Sequence, residues 1–172
     1  MTTSPSSTRI VGALRHLGDG KGAVRMEDLY DTDVDDLWSA VSDPDRLARW
    51  IGTVEGDDLH QGGHVYARFT SSWEGQVRID ICEAPRHLLV TSEPDTPDQT
   101  VIEATLAPEG ARTRLVIEER GLPVEALPFH GSGWQAHVED LAAHLGGRPQ
   151  SDWRTRWETL TPAYQDLTIE PA

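Results

Sequence analysis

The chain has 172 residues, enough for one ordinary domain with a short extension at each end, and its single cysteine excludes an intrachain disulfide. It carries 15 Lys and Arg against 29 Asp and Glu, a formal net charge of −14, which argues against binding to nucleic acid or to anionic membrane surfaces. No segment resembles a signal peptide, and no run of about 18 apolar residues could span a bilayer, so we expect a cytoplasmic protein without membrane insertion.

The first thirty residues predict a tail and a hairpin. Residues 1–8 are small and polar, which predicts a disordered tail. Two strand-like runs, Ile10–Leu17 and Ala23–Tyr30, flank a Gly/Asp cluster and predict a β-hairpin. The glycines do not form a phosphate loop, because Gly22 rather than Ser or Thr follows Lys21 and no helix begins there.

Two short helices are predicted next. Asp33 is a favourable N-cap, and apolar residues follow it at helical spacing: Val34, Leu37, Trp38 and Val41. The second helix begins at Ser42-Asp43 and has Pro44 in its first turn, where the missing N–H is not needed. Its buried side is predicted to contain Leu47, Trp50 and Ile51.

From Gly62 onward the apolar residues recur with a period of two, which predicts an antiparallel meander. Its strands are His64–Thr70, Glu74–Glu83, Arg86–Glu93, Thr100–Ala107 and Arg112–Glu119. The alternation places Val77, Ile79 and Ile81 on the dry face of the sheet and Cys82 on the wet face. No pattern of neighbouring His or Lys indicates an activated thiolate at Cys82.

A long C-terminal helix is predicted to cover the dry face. Apolar residues from Val124 to Leu145 follow helical spacing, and Gly146-Gly147 with Pro149 ends the helix. Asp152–Leu167 is predicted to be a short helix or strap on the outside. The predicted organisation is therefore a tail (1–8), a domain (9–147) and a packed extension (148–172).

The order and spacing of these elements resemble the START-like (SRPBCC) superfamily, in the branch named after the activator of Hsp90 ATPase. The resemblance runs from about Ala23 to Gly147. It is carried by Arg49-Trp50, Gly62-Gly63, Glu83–Leu88, Arg112–Leu115 and the helix from Gly133-Trp134 to Leu145-Gly146. It implies an α+β helix-grip (Bet v 1-like) fold, in which a curved antiparallel sheet wraps around the C-terminal helix and two short helices follow the first strands.

Members of this superfamily typically hold a cavity between the sheet and the long helix, so the resemblance implies that inward residues form its wall. An ordinary packed core is the alternative for each of them. The predicted ligand-binding residues are Trp50, Phe69, Trp73, Val77, Ile79, Ile81, Val90, Leu115, Ile117, Trp134, His137 and Leu141.

Two polar residues are weak candidates for chemistry. Glu119 shares strand parity with Ile117 and either faces the cavity or lies solvated at the strand end. His137 either reaches the cavity mouth or borders the apolar face of the helix. The spacing of His130, His137 and His144, two helical turns at a time, is too wide for one metal ion, so no metal or other cofactor is predicted.

Three functions are compatible with these features. The first is binding of a hydrophobic or aromatic small molecule, supported by the helix-grip pattern and six tryptophans. The second is a polyketide cyclase or aromatase-like enzyme in which Glu119 or His137 moves a proton. The third is an Hsp90-type co-chaperone or stress-response protein, for which the family name is the only support. The sequence leaves the oligomeric state open between a monomer and a homodimer.

Overall fold

A computed structural model describes residues 9–56 and 59–172 of the chain. Its elements are β1 (Gly12–Gly18), β2 (Lys21–Tyr30), α1 (Val34–Ser42), α2 (Pro44–Leu47), β3 (Gly52–Gly56), β4 (His64–Phe69), β5 (Glu74–Glu83), β6 (His87–Ser92), β7 (Thr100–Glu109), β8 (Arg112–Pro123), a 3-10 turn (Val124–Ala126), α3 (Leu127–Leu145), α4 (Trp153–Gln165) and β9 (Ile169–Glu170). The disordered tail predicted for residues 1–8 lies outside the described residues.

In the described part of the chain, nine strands form one open sheet in the order β3-β4-β5-β6-β7-β8-β2-β1-β9. The predicted meander is its centre, and the predicted N-terminal hairpin, β1 and β2, adds to it where β2 pairs with β8. Neighbouring strands are antiparallel except β9, which lies parallel to β1 through Leu14 and Ile169. The predicted fold class, a curved antiparallel sheet with a long C-terminal helix, is confirmed.

Local capping explains where the two short helices begin. The Asp33 carboxylate accepts a hydrogen bond from the Asp36 N–H at 2.8 Å, which satisfies one of the free donors at the start of α1. The Asp43 carboxylate does the same for Asp45 at the start of α2. The indole Nε1–H of Trp50 donates to the Ala40 carbonyl at 2.9 Å, so the segment after α2 is held against the end of α1.

Helix α3 packs across the inner face of the sheet and closes the main core. Its residues Leu127 and Leu141 have no exposed surface, and they join a cluster that includes Leu37 from α1 and Leu115 from β8. In residues 9–56 and 59–172, no helix is long and apolar enough to cross a membrane.

A bulge in β5 corrects two of the predictions. Ile79 pairs with Val90 and Ile81 pairs with Leu89, so two residues of β5 stand against one step of β6. The extra residue reverses the alternation beyond Ile79. Cys82 therefore packs against a second apolar cluster, which is formed by Val65, Ala67, Val77, Ile79 and Val90, and its thiol lies near the Leu59 carbonyl. Ile81 lies outside both this cluster and the main core. Burial raises the pKa of the Cys82 thiol.

Candidate ligand-binding cavity

A cavity of about 580 Å³ lies between the inner face of the sheet and helix α3. Strands β4 to β8 form one wall with small and branched apolar residues, among them Val65, Ala67 and Ile102. The opposite wall contains aromatic side chains from α3 and α4. Exposed residues such as Asp98 and Phe129 also border the space, which therefore opens to solvent. Its size and apolar lining are typical of sites that hold a small molecule.

Eight of the predicted ligand-binding residues line this cavity: Trp50, Phe69, Trp73, Val77, Val90, Ile117, Trp134 and His137. The other four do not line it. Leu115 and Leu141 are buried in the main core, where α1 and α3 close against the sheet and leave no open space. Ile79 is buried in the second apolar cluster, and Ile81 is turned out of it by the bulge.

Glu119 lies in the cavity wall, at the end where β7 and β8 pair. Its Oε1 accepts a hydrogen bond from the indole Nε1–H of Trp134 at 2.8 Å. Its Oε2 accepts one from the Thr100 hydroxyl at 2.7 Å. Of the two alternatives for this residue, the structure favours the inward one. Both oxygens are held by wall residues, so the carboxylate is a fixed acceptor in an otherwise apolar site.

Replacing Glu119 with Ala is expected to lower the free energy of unfolding by about 1–3 kcal/mol, because it leaves the buried Trp134 N–H without its acceptor. Glu119→Gln is the matched control. Its amide oxygen still accepts from Trp134, and its NH₂ can donate to Thr100, so the expected loss is below about 1 kcal/mol. Urea denaturation monitored by circular dichroism measures both. Equal losses in the two variants would contradict this role of the Trp134 hydrogen bond.

His137 lies in an aromatic enclosure on the helix side of the cavity. Its ring centroid is 5.8 Å from that of Phe69, 5.9 Å from Trp134 and 5.4 Å from Trp153. The side chain is 4% exposed, and its Nδ1 has no hydrogen-bond partner among the described residues. Burial lowers the pKa of His137 to about 3, with partial opposition from the Trp50 backbone. The imidazole is therefore neutral at pH 7.

The three histidines of α3 lie in different surroundings. His130 is exposed at the border of the cavity, and His137 is buried within the wall. His144 lies at the end of the helix and accepts a hydrogen bond from the Arg46 guanidinium at 3.1 Å. Burial and the nearby Arg46 and Arg49 lower its pKa. Within residues 9–56 and 59–172, no three or more His, Cys, Asp or Glu side chains are grouped so that they could hold a metal ion.

Helix α4 supplies wall residues that the sequence analysis did not place at the site. Trp153 and Trp157 line the cavity, and Phe129 at the start of α3 lies beside them. The spacing of the two tryptophans, four residues apart, puts them on one face of a helix. That periodicity was visible in the sequence. The direction of the face was not, because the position of α4 depends on contacts with α3 far away in the chain.

Comparison with known proteins places this architecture in a family. A search of curated proteins finds no match. Among solved structures, CalU16 from Micromonospora echinospora is 26% identical with a TM-score of 0.73, over 91% of this chain and 96% of that one. DynU16, from the dynemicin biosynthetic locus, is 25% identical with a TM-score of 0.68, over 76% of this chain and 50% of that one.

A third structure, the BPP1335 protein of Bordetella parapertussis, is 22% identical with a TM-score of 0.70 and covers 98% of this chain and 97% of its own. At that identity the likeness concerns the fold alone. The family model for activator of Hsp90 ATPase homolog 1-like proteins matches residues 31–146, which is more than half of the chain. The chain therefore belongs to the activator of Hsp90 ATPase homolog 1-like family, within the START-like (SRPBCC) superfamily.

Proposed function

We propose that the protein binds a hydrophobic or aromatic small molecule in the cavity between the sheet and α3. The observation that carries the proposal is an open apolar space of about 580 Å³ that contains a fixed carboxylate. A mostly apolar wall with a few placed polar groups is the usual construction of a small-molecule site. The similarity to DynU16, a protein of a biosynthetic locus, supports a ligand of the small-molecule class.

The polar groups of the wall indicate which part of a ligand would be oriented. The Glu119 oxygens each accept one hydrogen bond from the protein and retain further acceptor capacity. A ligand hydroxyl or amino group is therefore the complementary partner. The rest of the ligand would contact branched and aromatic side chains such as Val77, Ile102 and Trp50.

The test is calorimetric titration with two hydroxyl compounds, the phenol hydroxypyrene and the alcohol dodecanol, against the parent protein and two variants. Ala104→Phe places a ring inside the cavity, since Ala104 lines it. Ala107→Phe is the matched control, because Ala107 lies on the same strand but is exposed. We expect the parent and Ala107→Phe to bind at least one of the two compounds and Ala104→Phe to lose binding. Failure of the parent to bind either, or unchanged binding by Ala104→Phe, would overturn the proposal.

A second candidate is an enzyme of the polyketide cyclase or aromatase kind. It is favoured by one observation: a carboxylate, Glu119, and a neutral imidazole, His137, line the same apolar cavity. The Glu119 carboxylate can accept a proton from a bound chain that is held ready to cyclise, whereas the neutral His137, a weak base at its lowered pKa, can only hydrogen-bond to that chain. The test is conversion of a poly-β-ketoacyl thioester, followed by mass spectrometry. Product formation no faster than in buffer, or rates unchanged in both Glu119→Gln and His137→Phe, would exclude this candidate.

A further inference from the structure

The aromatic side chains of the cavity form one continuous series that runs from Trp73, between β4 and β5, through the buried His137 to helix α4. Successive ring centroids are 5.0 Å apart for Trp73 and Phe69, 5.8 Å for Phe69 and His137, and 5.4 Å for His137 and Trp153. The series continues on α4, where Trp153 and Trp157 are stacked at 5.7 Å with an interplanar angle of 12°. These separations lie within the range in which aromatic rings attract one another.

The outer end of the series is accessible. Trp157 lies 6.4 Å from Phe129, whose side chain is 43% exposed although it borders the cavity. Among the described residues, Phe129 and Leu17 are the only large hydrophobic side chains that are exposed. Phe129 and Trp157 therefore form an aromatic border at the open side of the cavity.

The two tryptophans of α4 are held in position by their own N–H groups. The Nε1–H of Trp153 donates to the Gly133 carbonyl at 3.2 Å, and the Nε1–H of Trp157 donates to the Phe129 carbonyl at 2.9 Å. Both acceptors lie in the first turns of α3. The hydrogen-bonding edges of both rings are therefore occupied. Their faces contact the neighbouring rings of the series and, at Trp157, the Arg154 guanidinium, whose carbon lies 5.9 Å from the ring centroid.

Helix α4 is fixed to α3 by a buried hydrogen bond and a partly exposed ion pair. Tyr164 is fully buried, and its hydroxyl donates to Gln135 Oε1 at 2.6 Å. Arg156 makes a two-point ion pair with Glu139 at 2.6 and 2.9 Å. A helix held in this way presents its tryptophans as a rigid surface, which lowers the entropic cost of binding a flat ligand.

Trp153 and Trp157 lie beyond residue 146, where the match to the family model ends. The wall of the cavity thus has two sources. The matched module supplies the branched residues of the sheet together with Phe69 and Trp134. The C-terminal extension supplies the stacked pair at the open side.

We propose that α4 is a specificity element, in which Trp153 and Trp157 form a stacking platform that selects planar aromatic ligands over aliphatic ones of equal polarity. This inference rests on the proposed binding function. A flat ring system entering beside Phe129 extends the stack of Trp157 and Trp153, while its hydroxyl or amino group reaches Glu119. A flexible aliphatic chain can fill the same space but makes no stacking contact.

The experiment compares hydroxypyrene with dodecanol, which share a hydroxyl group and differ in their apolar body. Calorimetric dissociation constants are measured for the parent and for Trp153→Leu, Trp157→Leu and Trp38→Leu. Trp38 is a matched control because it packs against the core and does not line the cavity. We expect each α4 variant to weaken hydroxypyrene binding by about tenfold and to change dodecanol binding by less than about threefold. Trp38→Leu should leave both constants unchanged.

The outcomes separate this inference from the one on which it rests. If the parent binds neither compound, the proposed function fails and the specificity role fails with it. If the parent binds both, but the α4 variants weaken both equally or neither, the cavity is a ligand site and the stacking platform is wrong. Trp157→Leu keeps the test independent of folding, since Trp157 is only partly buried. Circular dichroism of this variant is the check that it folds like the parent.

Discussion

Lowering the pH from 7.0 to 4.5 is expected to reduce the free energy of unfolding of the parent protein by about 2–3 kcal/mol more than that of a His137→Phe variant. The reason is the aromatic enclosure, which holds the pKa of His137 at about 3 in the folded state. In the unfolded chain the imidazole has its ordinary pKa near 6.5. Between these values the unfolded chain binds a proton that the folded chain does not.

The direction follows from that difference in proton binding. The stability associated with neutral His137 is fully present above pH 6.5 and is lost progressively as the pH falls toward 3. Asp140, nearly one turn further along α3, acts in the opposite direction because burial raises its pKa. Since Asp140 is present in both proteins, subtraction of the variant's pH dependence removes its contribution.

The measurement is urea denaturation of the parent, His137→Phe and His130→Phe at both pH values. Phe is chosen because a ring of similar shape fits between Phe69 and Trp153. His130 is exposed, so His130→Phe should show the same pH dependence as the parent. Identical losses of stability in the parent and in His137→Phe would show that His137 is protonated in the folded protein as readily as in the unfolded chain.

Replacing Gly131 with Ala is expected to lower the free energy of unfolding by about 1–3 kcal/mol, the usual cost of overpacking a well-filled interior. The substitution would normally favour a helix by about 1 kcal/mol, so the expected sign is the reverse of the propensity. A Cβ at this position of α3 would lie 2.5 Å from Tyr164 Cδ1 and 2.8 Å from Tyr164 Cε1. Tyr164 is fully buried and cannot move aside without displacing α4.

A double-mutant cycle tests that explanation. If the cost arises from the contact with Tyr164, Gly131→Ala should cost less in a Tyr164→Leu background than in the parent. Gly146→Ala is the control for an added methyl group, because its nearest neighbour is the flexible end of the Arg148 side chain at 3.3 Å. Additive losses in the cycle, or a more stable Gly131→Ala protein, would contradict the close packing of α4 against α3.

The same variant connects packing with binding. The tryptophans of the stacking platform belong to the helix that Gly131→Ala would displace. We therefore expect the folded Gly131→Ala protein to bind hydroxypyrene more weakly than the parent and to bind dodecanol with little change. Unchanged affinity for hydroxypyrene would mean that the position of α4 does not affect the ligand.

Local patterns in the sequence predicted the helices and the central strands correctly. The Asp33 and Asp43 caps, the alternation of β4 to β8 and the glycines that follow α3 are all local signals, readable without any contact between distant residues. The edge strands β3 and β9 were not predicted. They are short, at five and two residues, and their pairing partners decide that they are strands.

The candidate site was predictable in part, for a similar reason. Parity along a strand correctly indicates which residues point inward, so Phe69, Val77 and Ile117 were found. It does not reveal a bulge, and Ile81 and Cys82 were therefore assigned to the wrong faces. Nor does it distinguish an inward residue next to open space from one that is packed. Leu115 and Leu141 were therefore predicted to bind a ligand, although they pack in the main core.

By itself, the sequence determined the order of the helices and strands and the acidic charge of the protein, because periodicity, caps and charge are properties of neighbouring residues, and the family resemblance added the helix-grip fold. Only the tertiary structure decided where the interior stays open, that Glu119 is held by Trp134 and Thr100, and that α4 adds two tryptophans to the cavity. The two hydrogen bonds of Glu119 join residues 15 and 19 positions apart along the chain, and the bond between Tyr164 and Gln135, which holds α4 against α3, joins residues 29 positions apart. Their positions depend on how α3 and α4 pack on the sheet, which no local pattern specifies.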